Sequence, residues 1–269
     1  MTAYPELEDA KASWRHQPAP ECLSGKAILV TGAGDGIGQA LAKTAALYGA
    51  DLILLGRTRA KLEAVFDWIG EHTSTRPVIV PCDLSHLGPS SAESLASQAH
   101  AEYGRLDGLV HNASLLGAKT PLAHYPMSQW EDVMRVNLSA AAALTQALLP
   151  LMIETAATHG QQGSILFTSS SVGRKGRAYW GAYAVSKFAV EGLMQVLADE
   201  CAAEGTLRVN SLNPGATRTA MRRQAYPAEN PADVPPPEAR LDIYIHLLSD
   251  AAEGVTGQAF DARTWPGAP

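Results

Sequence analysis

Residues 26–56, KAILVTGAGDGIGQALAKTAALYGADLILLG, constrain the fold more than any other stretch. An apolar run at 27–30 feeds a glycine-rich turn, and an amphipathic helix then runs to Gly49. A second apolar run at 51–55 starts directly after that glycine. Strand, helix and strand joined by such short turns close as a right-handed βαβ unit with parallel strands. The pattern Gly32-x-x-x-Gly36-x-Gly38 fills the first turn. Glycines there allow a tight turn and let a pyrophosphate approach backbone N–H groups at a helix N-terminus. Any strand-to-helix turn that needs a positive φ would use glycine too, so the triplet gains meaning only from its place after the first strand.

The same alternation continues along the chain. Helical stretches are expected at 61–71, 91–103, 128–158 and 183–204, and strands at 77–80, 106–110, 164–168 and 207–212, with a seventh at 258–261. Strands alternating with helices imply a mostly parallel sheet covered on both faces. The expected class is therefore α/β, a single-domain Rossmann-type doubly wound sheet of about seven strands over residues 26–269. Residues 1–25 are polar, proline-containing and aperiodic, and read as an N-terminal arm. Tyr4 and Trp14 could dock that arm on the domain or on a partner subunit; disorder is the other reading.

Several function classes are disfavoured by composition. The net charge of −6 carries no basic run, which argues against nucleic acid as a partner. The apolar runs look too short for a bilayer span of about 18 residues, and the N-terminus has no signal-peptide core, so a cytoplasmic protein without membrane contact is expected. Cys22, Cys82 and Cys201 are far apart, and the eight histidines show no metal-ligand pairing. Neither a disulfide framework nor a metal site is expected.

The stretch 164–187, SILFTSSSVGRKGRAYWGAYAVSK, bears a more specific chemistry. Tyr183 and Lys187 stand four apart in a helix-favouring segment, so both fall on one helical face. A neighbouring ammonium is expected to lower the phenol from its usual pKa of about 10, making it a proton donor and acceptor near neutrality. Ser170 precedes Tyr183 by thirteen residues, at the end of an expected strand where an open parallel sheet binds ligands. Ser169 and Ser171 are alternatives on local sequence alone. After the second strand, the slot that often holds an acid for a ribose hydroxyl holds Gly56, followed by Arg57 and Thr58. A guanidinium there suits a 2′-phosphate better than a bare hydroxyl, which points to NADP(H) over NAD(H). Asp35, inside the glycine turn, counts against that reading.

Together these residues resemble the short-chain dehydrogenase/reductase family over about 26–261. The matching segments are TGAGDGIG at 31–38, CDL around Asp83, HNAS at 111–114, RVNLS around Asn137, Ser170, YAVSK at 183–187 and NPGATRT at 213–219. The wording is also similar to a narrower subgroup, the YciK-like bacterial oxidoreductases. The resemblance implies a catalytic tetrad of Asn137, Ser170, Tyr183 and Lys187. Tyr183 would exchange the proton, Ser170 would hold the substrate oxygen, Lys187 would bind the nicotinamide ribose and depress the phenol, and Asn137 would support a relay water. Cofactor contacts are implied at Gly32, Gly34, Asp35, Gly36, Ile37, Gly38, Arg57, Thr58, Asp83, Leu84, Asn112, Ala113, Ser114, Tyr183, Lys187, Pro214, Gly215, Thr217 and Thr219. Ser114 stands where relatives usually carry glycine, and Gly34 and Asp35 replace the common serine or basic residue. The tail FDARTWPGAP also departs from the usual ending.

A carbonyl or alcohol substrate is implied, with a lid at about 218–240 in which Met221 and Tyr226 are candidate apolar contacts. Arg174, Lys175 and Arg177 could face an anionic substrate, a solvated loop surface, the cofactor or a neighbouring subunit. A homodimer or homotetramer is expected from the long helices. Two rival readings are a nucleotide-sensing protein without turnover and an S-adenosylmethionine methyltransferase; the second leaves YxxxK and NPG without a role.

Overall fold

The structure, a computed structural model, describes residues 4–268; residues 1–3 of the expected arm and residue 269 lie outside it. In chain order the helices and strands are α1 (Pro5–Lys11), β1 (Ala27–Thr31), α2 (Gly36–Leu47), β2 (Asp51–Gly56), α3 (Arg59–His72), β3 (Pro77–Pro81), α4 (Pro89–Tyr103) and β4 (Gly108–His111). There follow α5 (Met127–Met134), α6 (Ala140–His159), β5 (Gly163–Thr168), α7 (Gly181–Ala202), β6 (Leu207–Asn213), α8 (Ala220–Ala225), α9 (Leu241–Leu248) and β7 (Ala259–Asp261). The seven strands form one sheet in the order β3-β2-β1-β4-β5-β6-β7, and every neighbouring pair is parallel.

Strand periodicity divides the interior into two cores. On β1, Ile28 and Val30 face a core with α2, α3 and α9, while Leu29 faces the opposite core with α4, α6 and α7. On β2, Leu52 and Leu54 join the first core, and Ile53 and Leu55 the second. Burial on both faces is why these strands read as continuous apolar runs rather than alternating ones.

The structure differs from the sequence reading in several places. The expected helix over 128–158 is two α-helices joined by a π-helical turn at Arg135–Ser139. As one continuous helical body, Met127–His159 is long and apolar enough to cross a membrane by length and composition, contrary to the expectation of no such run. Here Val136, Leu144, Leu148 and Met152 pack into the second core instead. The sequence reading has no element at 241–248, where α9 lies. All eight of its residues are buried, Asp242 and His246 included, and this short helix has no side-chain N-cap to mark its start in the sequence.

The described part of the arm packs against the domain. Tyr4 and Trp14 are buried, Trp14 Nε1 donates to the Glu238 carbonyl at 2.8 Å, and the Tyr4 hydroxyl bonds the Glu238 carboxylate. Arg15 ties the arm to the C-terminal tail, donating to the carbonyls of Arg263 and Trp265 at 2.7 Å each.

Candidate active site

All strands of a parallel sheet end on one edge, and here the chain order reverses between β1 and β4, which opens a crevice at that point. A cleft of about 1010 Å³ runs along this edge from Arg57 to Trp180. Every site residue read from the sequence lines it except Gly38 and Asn137.

At one end the chain is shaped for a phosphate-bearing ligand. Gly32 has a φ of +69°, which a side chain would strain, and a Cβ at Gly38 would stand 2.2 Å from the Gly32 carbonyl oxygen. Gly38 therefore lets α2 pack closely on the turn. The Asp35 side chain caps no amide of α2, so the first-turn N–H groups keep their donor capacity beside the cleft. Its carboxylate instead pairs with Lys61, a cleft residue that the sequence reading missed. That pairing matches the negative charge that counted against a 2′-phosphate. Lys61 is the third residue of α3, and its proximity to Asp35 arises only when α3 packs beside the glycine turn.

Asp83 caps a turn at the edge of the cleft. Its Oδ1 accepts from Ser85 N at 3.0 Å and Ser85 Oγ at 2.8 Å, which caps the turn at Leu84–His86 and holds the carboxyl below its usual range. The Oγ of Ser114 lies in the cleft wall, is buried and has no hydrogen-bond partner among the described residues. A buried hydroxyl left unpaired costs free energy unless a ligand meets it. The glycine cradle, open helix terminus, basic pair and orphan hydroxyl together fit a dinucleotide.

At the other end the end of β5 and the start of α7 bring Ser170, Tyr183 and Lys187 to the cleft. Tyr183 is buried, and desolvation raises its phenol to about 12, partly offset by the Ser170 hydroxyl. This runs against the expected lowering. Lys187 Nζ donates to the Thr168 carbonyl at 2.7 Å and lies 5.7 Å from the Tyr183 ring centre, and burial brings its own pKa down to about 8. Within the protein alone, then, desolvation of the phenolate sets the direction of the shift.

Asn137 sits behind these groups in the π-helical turn. Its Oδ1 accepts from Leu115 N at 2.7 Å, and its Nδ2 donates to the Leu115 carbonyl at 2.9 Å and Ser186 Oγ at 3.0 Å. Asn137 and Lys187 both border a second, smaller cavity of about 10 Å³, also lined by Thr31, His111 and Thr168. Such a space is about the size of one water. His111, hydrogen-bonded to Thr145 and stacked on Phe167, is kept neutral by burial, its pKa pushed down to about 3.

The alternatives around Ser170 separate clearly. Ser169 Oγ donates to Glu191 Oε1 at 2.6 Å, and Ser171 does not line the cleft. Glu191 Oε2 accepts from Ser211 Oγ at 2.6 Å, and Arg174 Nε donates to Oε1 at 3.0 Å. Arg174 also donates to the Phe260 carbonyl at 2.8 Å, so it is committed to this network rather than to the cleft. Arg177 donates to the Tyr226 hydroxyl at 2.8 Å. Of the two lid contacts expected, Met221 lines the cleft and Tyr226 stands behind it.

Comparison with known proteins identifies the family of the chain. Residues 26–230 match the short chain dehydrogenase family. The chain is 48% identical over 248 residues to the uncharacterized oxidoreductase YciK of Escherichia coli, covering 92% of this chain and 96% of that one. A short chain dehydrogenase of Shigella flexneri solved with NADP superposes with a TM-score of 0.85 at 47% identity, covering 91% of this chain and all of the other (100%). One from Escherichia coli solved with NADPH gives 0.85 at 48% identity, with 91% and 100% covered. With its parallel sheet, glycine turn and YxxxK helix meeting at one cleft, the chain belongs to the short-chain dehydrogenase family.

Proposed function

We propose that the protein is an oxidoreductase that interconverts a carbonyl and an alcohol with NADP(H), using Tyr183 as proton donor and acceptor. The observation that carries this reading is the convergence of Ser170, Tyr183 and Lys187 at the far end of a cleft whose near end holds Arg57, Lys61 and the glycine turn. NADP in one similar structure and NADPH in another support the coenzyme. When bound, the nicotinamide supplies or takes the hydride.

The protein's own part is orientation and the proton. Ser170 would donate to the substrate oxygen and hold it beside the Tyr183 hydroxyl. In reduction Tyr183 would give its proton to that oxygen as the hydride arrives, and in oxidation take it back. Lys187 would bind ribose hydroxyls and carry the positive charge nearest the phenol. Asn137, its side chain already occupied, would hold a relay water through its place beside the small cavity that Lys187 shares. The sensor alternative has no comparable support, since a sensor needs no paired phenol and ammonium.

The reading is tested by following NADPH and NADH oxidation over a panel of ketones, aldehydes and diketones; absence of any coenzyme binding would overturn it. Arg57 gives a sharper result. Arg57→Leu is expected to weaken NADPH binding about tenfold or more while NADH binding changes little, because only the 2′-phosphate loses a charge-assisted bond. Equal losses for both coenzymes would assign Arg57 no part in the choice.

A homodimer or homotetramer is proposed for the assembly. Val185, Phe188 and Val196 of α7 are 44%, 46% and 58% exposed and share one face, an apolar stripe suited to a second copy of α7. Sedimentation at micromolar concentration should give a dimer or tetramer; monomer alone would remove this proposal.

A further inference from the structure

The substrate end of the cleft is built from three separate segments. Leu116 comes from the loop after β4, Trp180 from the turn before α7, and Met221 and Ala225 from α8 in the lid. Among the described residues no backbone hydrogen bond joins these segments, so side chains set how closely they approach.

One cation reaches all of them. Lys119, three residues after Leu116, donates from Nζ to the carbonyl of Ala225, the last residue of α8, at 2.5 Å. The same ammonium lies 4.8 Å from the Trp180 ring centre and 4.4 Å from that of Tyr226, the residue directly after α8. Tyr226 is gripped further: the Arg222 guanidinium stands 3.9 Å from its ring centre, and its hydroxyl accepts from Arg177 at 2.8 Å. Arg222 is itself fixed by Glu229, to which Nε and Nη2 donate at 2.6 and 2.5 Å. Trp180 stands between the two tyrosines, its ring centre 5.8 Å from Tyr183 and 5.9 Å from Tyr226. Its backbone is set by a strained turn, since Tyr179 has a φ of +71° and Gly181 one of +27°.

We propose that Lys119 is a positioning residue that latches α8 through Ala225 and Tyr226 onto Trp180, and so fixes the wall against which the substrate packs beside Tyr183. Neither Lys119 nor Tyr226 lines the cleft, so the pair acts on substrate affinity without touching the reacting atoms. The proposal rests on the reductase reading for its kinetic part and on geometry alone for its structural part.

Two measurements on the intact protein separate those parts. With Lys119→Met, amide hydrogen exchange over 220–226 is expected to quicken about fivefold, the scale of losing a cation shared by two rings and its bond to Ala225, and Lys119→Arg should restore it. Tyr226→Leu should reproduce the loss, with a smaller effect for Tyr226→Phe, which keeps the ring and gives up only the Arg177 bond. On the ketone that the wild type reduces best, Lys119→Met should raise KM about fivefold with kcat changed by less than about twofold. NADPH binding should be unaltered, since Lys119 lies at the substrate end. Unchanged exchange in Lys119→Met, or a fall in kcat at constant KM, overturns the latch. If the wild type reduces nothing on the panel, the reductase reading loses its support and the exchange result still decides the latch.

Discussion

Tyr183→Phe is expected to cut turnover by about 10²- to 10⁴-fold, the range carried by a positioned proton donor, while NADPH binding stays near that of the wild type. The substitution removes one hydroxyl and keeps the ring that packs against Trp180 at 5.8 Å, so the cleft wall survives. It also removes a buried phenol that burial already holds protonated, with a pKa near 12, so no buried charge is exposed or orphaned. The cost falls on chemistry, since the carbonyl oxygen would have to take its proton from water. The pH profile gives a second readout. In the reductive direction the phenol is protonated throughout the working range. The ammonium of Lys187, by contrast, is lost as pH rises through about 8, so reduction should decline on that alkaline limb. A Tyr183→Phe protein that turns over within tenfold of the wild type would place the proton donor elsewhere.

Sequence legibility followed the range of the interactions involved. The sheet was readable because each buried strand is a short apolar run and each connection a helix, so the order of elements prescribes a parallel topology. Ser170, Tyr183 and Lys187 were readable because their spacing along one strand end and one helix face is local. Residues whose roles depend on packing between distant segments were not. Lys61 joins the site only because α3 sets it against Asp35, and Asp35 misled for the same reason. The phenol of Tyr183 was expected low from its neighbour and stands high from its burial, a quantity that no i to i+4 spacing reports. The π-helical turn around Asn137 is invisible in composition; it accompanies bonds to Leu115 and Ser186 that lie 22 and 49 residues away. Tyr226 was expected to meet substrate because it is aromatic and in the lid. Its ring is taken instead by Lys119 and Arg222.

Glu191→Ala is the stability change with the largest expected effect. The carboxylate is buried, accepts from Ser169 Oγ and Ser211 Oγ at 2.6 Å each and from Arg174 Nε at 3.0 Å, and so binds the ends of β5 and β6 to α7. Truncation leaves two buried hydroxyls and a guanidinium without their acceptor. Breaking one side of a buried pair costs about 3–5 kcal/mol, and the lower half of that range applies because the Arg174 side chain is 28% exposed and partly screened. In a domain of this size the melting temperature should drop by about 10 °C. Glu191→Gln separates charge from shape: its amide oxygen can still accept from a serine, so the loss of stability should be smaller. Glu191 lies one helical turn from Lys187, and its charge is what holds that ammonium up against burial. Removing the charge lowers the Lys187 pKa further, so the alkaline decline of reduction in Glu191→Gln should begin below the wild-type value of about 8. A Glu191→Ala protein that melts within about a degree of the wild type would show the network to be dispensable for folding. An unmoved alkaline limb in Glu191→Gln would show that Lys187 does not govern it.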